Sequence, residues 1–128
     1  MVVRHRMGTP NTPLEAYKAI IDQLVAETRC GGAGLQIAKR SVFSKAPAHG
    51  EYNDFIRSLS AEQRSLLARM LSHERDGTIH DVLAVLSWWI SVREVGLTYR
   101  GEPMPTELSG MGLHGDYVGR KDGWECPR

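Results

Sequence analysis

The sequence predicts an all-α protein, a single-domain bundle of four or five helices with an irregular C-terminal arm. Three observations predict this fold class. Apolar residues recur at helical spacing in several segments, two of these segments open with a capping box, and glycine or proline lies between them. We therefore expect residues 1–11 to be a flexible lead, residues 12–96 a helical core, and residues 97–128 an irregular arm packed on that core.

The first helix has the clearest signals at both ends. Thr12 can cap it, Pro13 suits its first position, and Glu15 completes a capping box. Glycine follows Cys30, and it supplies the left-handed conformation that commonly ends a helix. The apolar stripe that this helix would bury is Leu14, Tyr17, Ile20, Ile21, Leu24 and Val25.

The next segments are shorter and less uniform. Residues 35–45 fit either a strand or a helix, and the lack of an obvious partner strand favours a helix that Pro47 ends. A further short helix is indicated by apolar residues at helical spacing, namely Tyr52, Phe55, Ile56 and Leu59. Residues 97–101 remain open between a short strand and an extended arm.

The stretch 60–93 is the centre of the predicted fold, as two helices joined by a tight turn at Asp76 and Gly77. Ser60 and Gln63 form a second capping box, Gly77 can end the first helix, and Thr78 can cap the second. Residues 79–92 are apolar around most of the helix, which predicts a central position with Trp89 on the core face. The exception is a strip that admits either solvent or a closely packed neighbour, formed by His80, Ala84, Ser87 and Ser91.

Charge and composition exclude some partners and compartments. With 16 basic and 15 acidic residues the net charge is +1, so we expect neither nucleic acid nor a membrane as partner. No apolar run approaches the roughly 20 residues that cross a bilayer. The N-terminal residues lack the apolar segment of a secretory signal, and the two cysteines, Cys30 and Cys126, are typical of reduced thiols in a cytoplasmic protein.

The predicted turn concentrates side chains that can bind metal or transfer protons. A divalent ion could be held there by two imidazoles and two carboxylates, those of His73, Glu74, His80 and Asp81. The spacing is not that of a known zinc motif, and charges placed to suit the helix dipoles explain most of these residues. We favour a structural corner, and we expect no cofactor.

The C-terminal arm offers a second group of candidates. If it folds back on the turn, His114 and Asp116 could join His80 and Asp81 around one binding pocket. The deciding observation is whether these four residues lie within about 5 Å of each other. Trp124 is a further binding candidate, although it could instead serve only to anchor the arm. The GxGxxG pattern at residues 110–115 is not a dinucleotide fingerprint, because that motif needs a preceding strand and a following helix.

Two segments resemble a family of small uncharacterised bacterial proteins of unknown function. They are Glu74 through Ala84 (ERDGTIHDVLA) and the C-terminal DYVGR and GWECP at residues 116–120 and 123–127. The resemblance implies a bacterial, cytoplasmic protein. It implies no activity and no catalytic residues.

Together these patterns favour a non-enzymatic interaction or regulatory module that pairs as a homodimer or binds another protein. Residues 79–92 are apolar around most of the helix, and they include two adjacent tryptophans, Trp88 and Trp89. Both features support this function, since aromatic residues are enriched in interface cores. The alternatives are a metal-dependent hydrolase or a small-ligand-binding domain centred on the corner between His73 and Asp81.

Overall fold

The computed structural model of the protein describes residues 8–125. Within them it forms helices α1 (Pro13–Cys30), α2 (Ala33–Arg40), α3 (Gly50–Ser58), α4 (Ala61–Val92) and α5 (Gly112–Lys121), and strands β1 (Thr98–Tyr99) and β2 (Glu102–Pro103). The predominantly all-α fold class is therefore confirmed. Residues 1–7 of the expected lead, and residues 126–128 of the expected arm with Cys126, lie outside the described residues.

The two predicted capping boxes mark the starts of α1 and α4. The Glu15 amide donates to Thr12 Oγ1 at 3.2 Å, and Pro13 is the first helical residue. The second box is reciprocal. The Ser60 amide donates to Gln63 Oε1 at 2.9 Å, and the Gln63 amide donates to Ser60 Oγ at 3.2 Å. Each box satisfies amides that have no partner inside the helix.

The two short helices are confirmed as α2 and α3, but α2 ends earlier than predicted. Its last residue is Arg40, well before Pro47. Ser41 follows in the left-handed conformation, with φ 54°, and its amide donates to the carbonyl of Ile37. Serine thus occupies the left-handed position at the end of this helix, where glycine or asparagine is more usual.

The predicted turn at Asp76 and Gly77 is wrong, because α4 runs without interruption for 32 residues. Gly77 lies inside the helix, and Thr78 does not act as a cap. The Thr78 hydroxyl instead donates to the Glu74 carbonyl at 2.9 Å, the bond that a threonine makes inside a helix. A glycine in a helix interior is destabilising by only about 1 kcal/mol relative to alanine, so flanking helix-forming residues can override it.

Replacing Gly77 by Ala is expected to raise the free energy of unfolding by about 0.5–1 kcal/mol, because Gly77 has a helical conformation and a Cβ there would meet no atom within 4 Å. Urea unfolding followed by circular dichroism measures this change. Gly101→Ala is the control and should be destabilising, since Gly101 has φ 81°. A loss of stability in Gly77→Ala would contradict the continuous helix.

The C-terminal segment is more regular than predicted. Thr98 pairs with Pro103 and Tyr99 with Glu102 in an antiparallel hairpin. Arg100 and Gly101 between them both have positive φ, 51° and 81°, as a type I′ hairpin turn requires. Helix α5 then corrects the expectation that residues after 108 are irregular. That expectation failed because α5 contains glycines that weaken any apolar stripe, and its start is determined by packing instead.

The chain divides into two compact units. The central unit is Thr28–Thr78, and its core is built on Ile37, Ile56 and Ala68. The terminal unit combines residues 8–27 with residues 79–125, and its core includes Tyr17, Ile21, Leu83, Leu113 and Tyr117. None of the helices within residues 8–125 is both long enough and apolar enough to span a membrane.

Candidate functional site

Two of the predicted site residues meet in the terminal unit. His80 lies on α4 and His114 lies in the first turn of α5. Their ring centroids are 5.3 Å apart and the rings are nearly perpendicular, at 89°. The approach of these two histidines, expected if the arm folds back, is therefore observed.

Small residues on α4 bring His114 to this position. Ser87 is buried, and its Oγ accepts a hydrogen bond of 2.8 Å from the Leu113 amide at the start of α5. Gly112 has φ 79°, and a Cβ there would lie 2.9 Å from Ser87 Oγ and 3.0 Å from Ser87 Cβ. The strip of small residues on α4 thus receives a closely packed neighbour, the first turn of α5.

Each histidine of this pair has one further polar contact, His80 with the Asp81 carboxylate and His114 with the Ser87 hydroxyl. His80 Nδ1 lies 3.3 Å from Asp81 Oδ1, and the two side chains are 42% and 84% exposed. His114 Nδ1 lies 3.3 Å from Ser87 Oγ. Both contacts are long, and the one between His80 and Asp81 is also open to solvent, so they orient the imidazoles only weakly.

Asp116 does not join this group. Its side chain is fully buried, and it accepts hydrogen bonds from the Leu108 amide at 3.0 Å, from the Ser109 amide at 2.7 Å and from the Tyr17 hydroxyl. All three donors belong to the protein itself. Of the four residues expected around one pocket, the structure brings together His80, Asp81 and His114, whereas Asp116 connects α5 to α1 and to the segment before α5.

Trp124 also occupies a structural position. Its amide donates to the Gly119 carbonyl at 2.8 Å, and a Cβ on Gly119 would lie 3.2 Å from the indole ring. Its carbonyl accepts a hydrogen bond from Arg120, whose Nε also donates to Asp22 on α1 at 2.7 Å. Trp124 therefore caps and covers the end of α5, which matches the anchoring alternative considered for it.

His73 and Glu74, the other members of the metal alternative, lie on α4 within the central unit and are exposed. In the part of the chain that the structure describes, no group of three or more His, Cys, Asp or Glu side chains is placed to hold a metal ion.

The terminal unit also has an exposed apolar surface, which the sequence analysis placed mostly inside. We call it the outer face of α4, and its members are Val82, Val85, Leu86, Trp88, Trp89 and Val92. Each of these side chains is 42–59% exposed. Trp89, predicted on the core face, is 47% exposed, whereas Leu83 and Ser87 point into the unit. The two indoles pack edge to face, with centroids 5.4 Å apart.

A spacing in the sequence could have identified this face. Val82, Val85, Trp89 and Val92 follow the 3-4-3 spacing of positions a and d in a heptad repeat. In the same register Leu83 is at b and Ser87 at f, so the buried residues fall on the opposite side of the helix. The prediction from the sequence rested only on how much of the helix circumference is apolar. It therefore did not distinguish a buried face from an exposed face, because both are apolar.

Comparison with known proteins supplies a family but no activity. A model described as "Family of unknown function (DUF6547)" matches residues 10–128. No curated protein and no solved structure matches the chain. The resemblance to a family of unknown function, inferred from the two sequence segments, is thereby confirmed.

Proposed function

We infer the role of this chain, which belongs to the DUF6547 family of unknown function, from its own surface. We propose a non-enzymatic interaction module that pairs with a second copy of itself through the outer face of α4. The observation that carries this proposal is the contiguous exposure of six large apolar side chains along one face of one helix. We further propose the bacterial cytoplasm as its setting, on the sequence resemblance and the cysteine content.

The character of the surface supports a protein partner. Single exposed apolar residues are ordinary, but a contiguous patch of them commonly marks an interaction site. Trp88 and Trp89 lie within this patch, and tryptophan is enriched among the residues that dominate binding energy. Arg93 lies over the Trp88 ring at 5.3 Å and provides a polar edge to the patch.

The order of side chains supports a second copy as the partner. Consider two copies of α4 that pair antiparallel and are centred on Ser87. A residue that lies n positions before Ser87 in one copy then faces the residue that lies n positions after Ser87 in the other copy. Val82 then faces Val92 of the partner subunit, and Val85 faces the partner subunit's Trp89. Leu86 faces the partner subunit's Trp88, so no layer places two tryptophans against each other. Parallel pairing would instead place Trp89 against Trp89 of the partner subunit.

Light scattering coupled to size exclusion is expected to give the mass of a dimer. Trp89→Glu should weaken the dimer by at least about 30-fold, because it buries a charge at the centre of the interface. Met70→Glu is the matched control, since Met70 is 59% exposed on the same helix but lies outside the outer face. A monomeric wild type, or a Trp89→Glu variant that still dimerises, would refute the proposal.

Cross-linking with a short bismaleimide tests the antiparallel arrangement in a chain whose two native cysteines are replaced by serine. Leu86→Cys should cross-link, because the two copies of residue 86 lie near the two-fold axis. Val82→Cys should not, since at 1.5 Å per residue its two copies would be offset by about 15 Å along the helices. Efficient cross-linking of Val82→Cys, with none for Leu86→Cys, would indicate parallel pairing.

A further inference from the structure

An apolar groove in the central unit is a second feature that pairing through α4 does not explain. Its cavity volume is about 520 Å³. Its lining combines the core residues Ile37 and Ile56 with four aromatic or acidic residues, Phe43, Glu51, Tyr52 and Phe55. A volume of this size falls within the range of about 300–1,000 Å³ that is typical of small-molecule sites.

The floor of the groove is firm. Ile37 on α2 and Ile56 on α3 are each only 2% exposed and belong to the buried core of the unit. Gly34, one turn before Ile37, allows α2 to approach α4 closely, because a Cβ there would lie 2.4 Å from the Ala68 carbonyl oxygen. The floor therefore exists before any ligand binds.

The aromatic wall is also held in place. The Asn53 side chain accepts a hydrogen bond from the Phe43 amide at 2.7 Å and donates to the Ser44 carbonyl at 2.8 Å. These bonds fix the loop that carries Phe43. The Phe43 ring meets Tyr52 edge to face, with centroids 5.4 Å apart. Because this wall is already ordered, the protein loses less conformational entropy when a ligand binds.

The groove is nevertheless open to solvent. Tyr52 is 51% exposed and Phe55 is 58% exposed, although both line a cavity that reaches the core. One face of the Tyr52 ring is stacked on His49, with centroids 5.3 Å apart, so the exposed surface of Phe55 and the uncovered part of Tyr52 are available for contact with an apolar ligand. Burying them would remove apolar surface from water, which is the main driving force for occupying such a site.

Charge selects the class of ligand. Among the described residues that line the groove, Glu51 is the one that carries a formal charge at neutral pH. Aromatic rings present negative potential on their faces, so a carboxylate beside Tyr52 and Phe55 favours a cation and disfavours an anion. We propose that this groove binds a small cationic amphiphile, with its apolar body on Ile37, Ile56 and Phe55 and its ammonium group at Glu51.

Three ligands that differ only in the head group test this proposal: 4-phenylbutylamine, 4-phenylbutanol and 4-phenylbutyrate. Titrations followed by methyl NMR should shift the signals of Ile37 and Ile56. We expect the amine to bind about 2- to 5-fold more tightly than the alcohol and about 10-fold more tightly than the acid, as an exposed ion pair allows. Glu51→Gln should abolish the preference for the amine, and Phe55→Ser should weaken binding of all three ligands.

Glu62→Gln is the matched control, because Glu62 is an exposed acid of the same unit that does not line the groove. It should leave all three affinities unchanged. The proposal is overturned if none of the ligands shifts Ile37 and Ile56, if the amine and the acid bind equally, or if Glu51→Gln retains the preference. These outcomes do not depend on dimerisation, so a failure of this proposal would not count against the proposed pairing of α4.

Discussion

Replacing Asp116 by Ala is expected to lower the free energy of unfolding by about 3–5 kcal/mol, a large share of the about 5–15 kcal/mol that is typical of a folded protein. The carboxylate is fully buried and accepts hydrogen bonds from three donors, the Tyr17 hydroxyl and the amides of Leu108 and Ser109. Alanine would leave the two part-buried amides without an acceptor. It would also release α5 from the segment that precedes it.

Urea unfolding followed by tryptophan fluorescence measures this loss, because Trp88, Trp89 and Trp124 all lie in the terminal unit together with Asp116. Tyr17→Phe removes a single donor and should be destabilising by a smaller amount, about 1–3 kcal/mol. Asp122→Ala is the control, since Asp122 is an exposed acid just after α5, and we expect a change within about 0.5 kcal/mol. If Asp116→Ala changed stability as little as Asp122→Ala, Asp116 would have no structural role.

Replacing Gly34 by Ala is expected to lower the free energy of unfolding by about 2–4 kcal/mol, even though alanine is the better helix former. The added Cβ would lie 2.4 Å from the Ala68 carbonyl oxygen and 2.4 Å from Ser72 Oγ. The serine side chain can rotate away, but the carbonyl belongs to the backbone of α4 and cannot. The helices would therefore have to move apart and open the core around Ile37.

Circular dichroism during urea unfolding measures this change, with Gly77→Ala as the matched control. Both substitutions replace a helical glycine by the same residue, and they differ in the space around the new methyl group. We expect opposite signs: a loss for Gly34→Ala and a gain for Gly77→Ala. A gain in both would mean that α2 and α4 are not packed as closely as described.

The starts of the helices could be predicted from the sequence because they depend on a few neighbouring residues. The boxes at Thr12 and Ser60 satisfy local amides, and no distant contact is needed to place them. The end of a helix was less predictable. Gly77 and Ser41 show why: the glycine that suits a cap lies inside α4, while a serine ends α2.

The candidate site was only partly predictable. The sequence indicated that His80 and His114 would approach each other if the arm folded back, and they do. The sequence could not show that Asp116 has a different role from these histidines. An aspartate that accepts hydrogen bonds inside the protein and one that binds a ligand look the same in a sequence. The difference depends on Tyr17, which lies far away in the sequence yet donates directly to Asp116.

The sequence by itself determined the helical character of this protein, the starts of α1 and α4, and the absence of a strong net charge. These properties depend on local spacing and on composition. Only the tertiary structure decided which side of α4 is buried, because both sides are apolar. The first turn of α5 packs on Ser87, where Gly112 permits close approach, and this contact leaves Trp89 and its neighbours exposed. A helix with two apolar faces can bury either one, and the element that packs on it determines which face is buried.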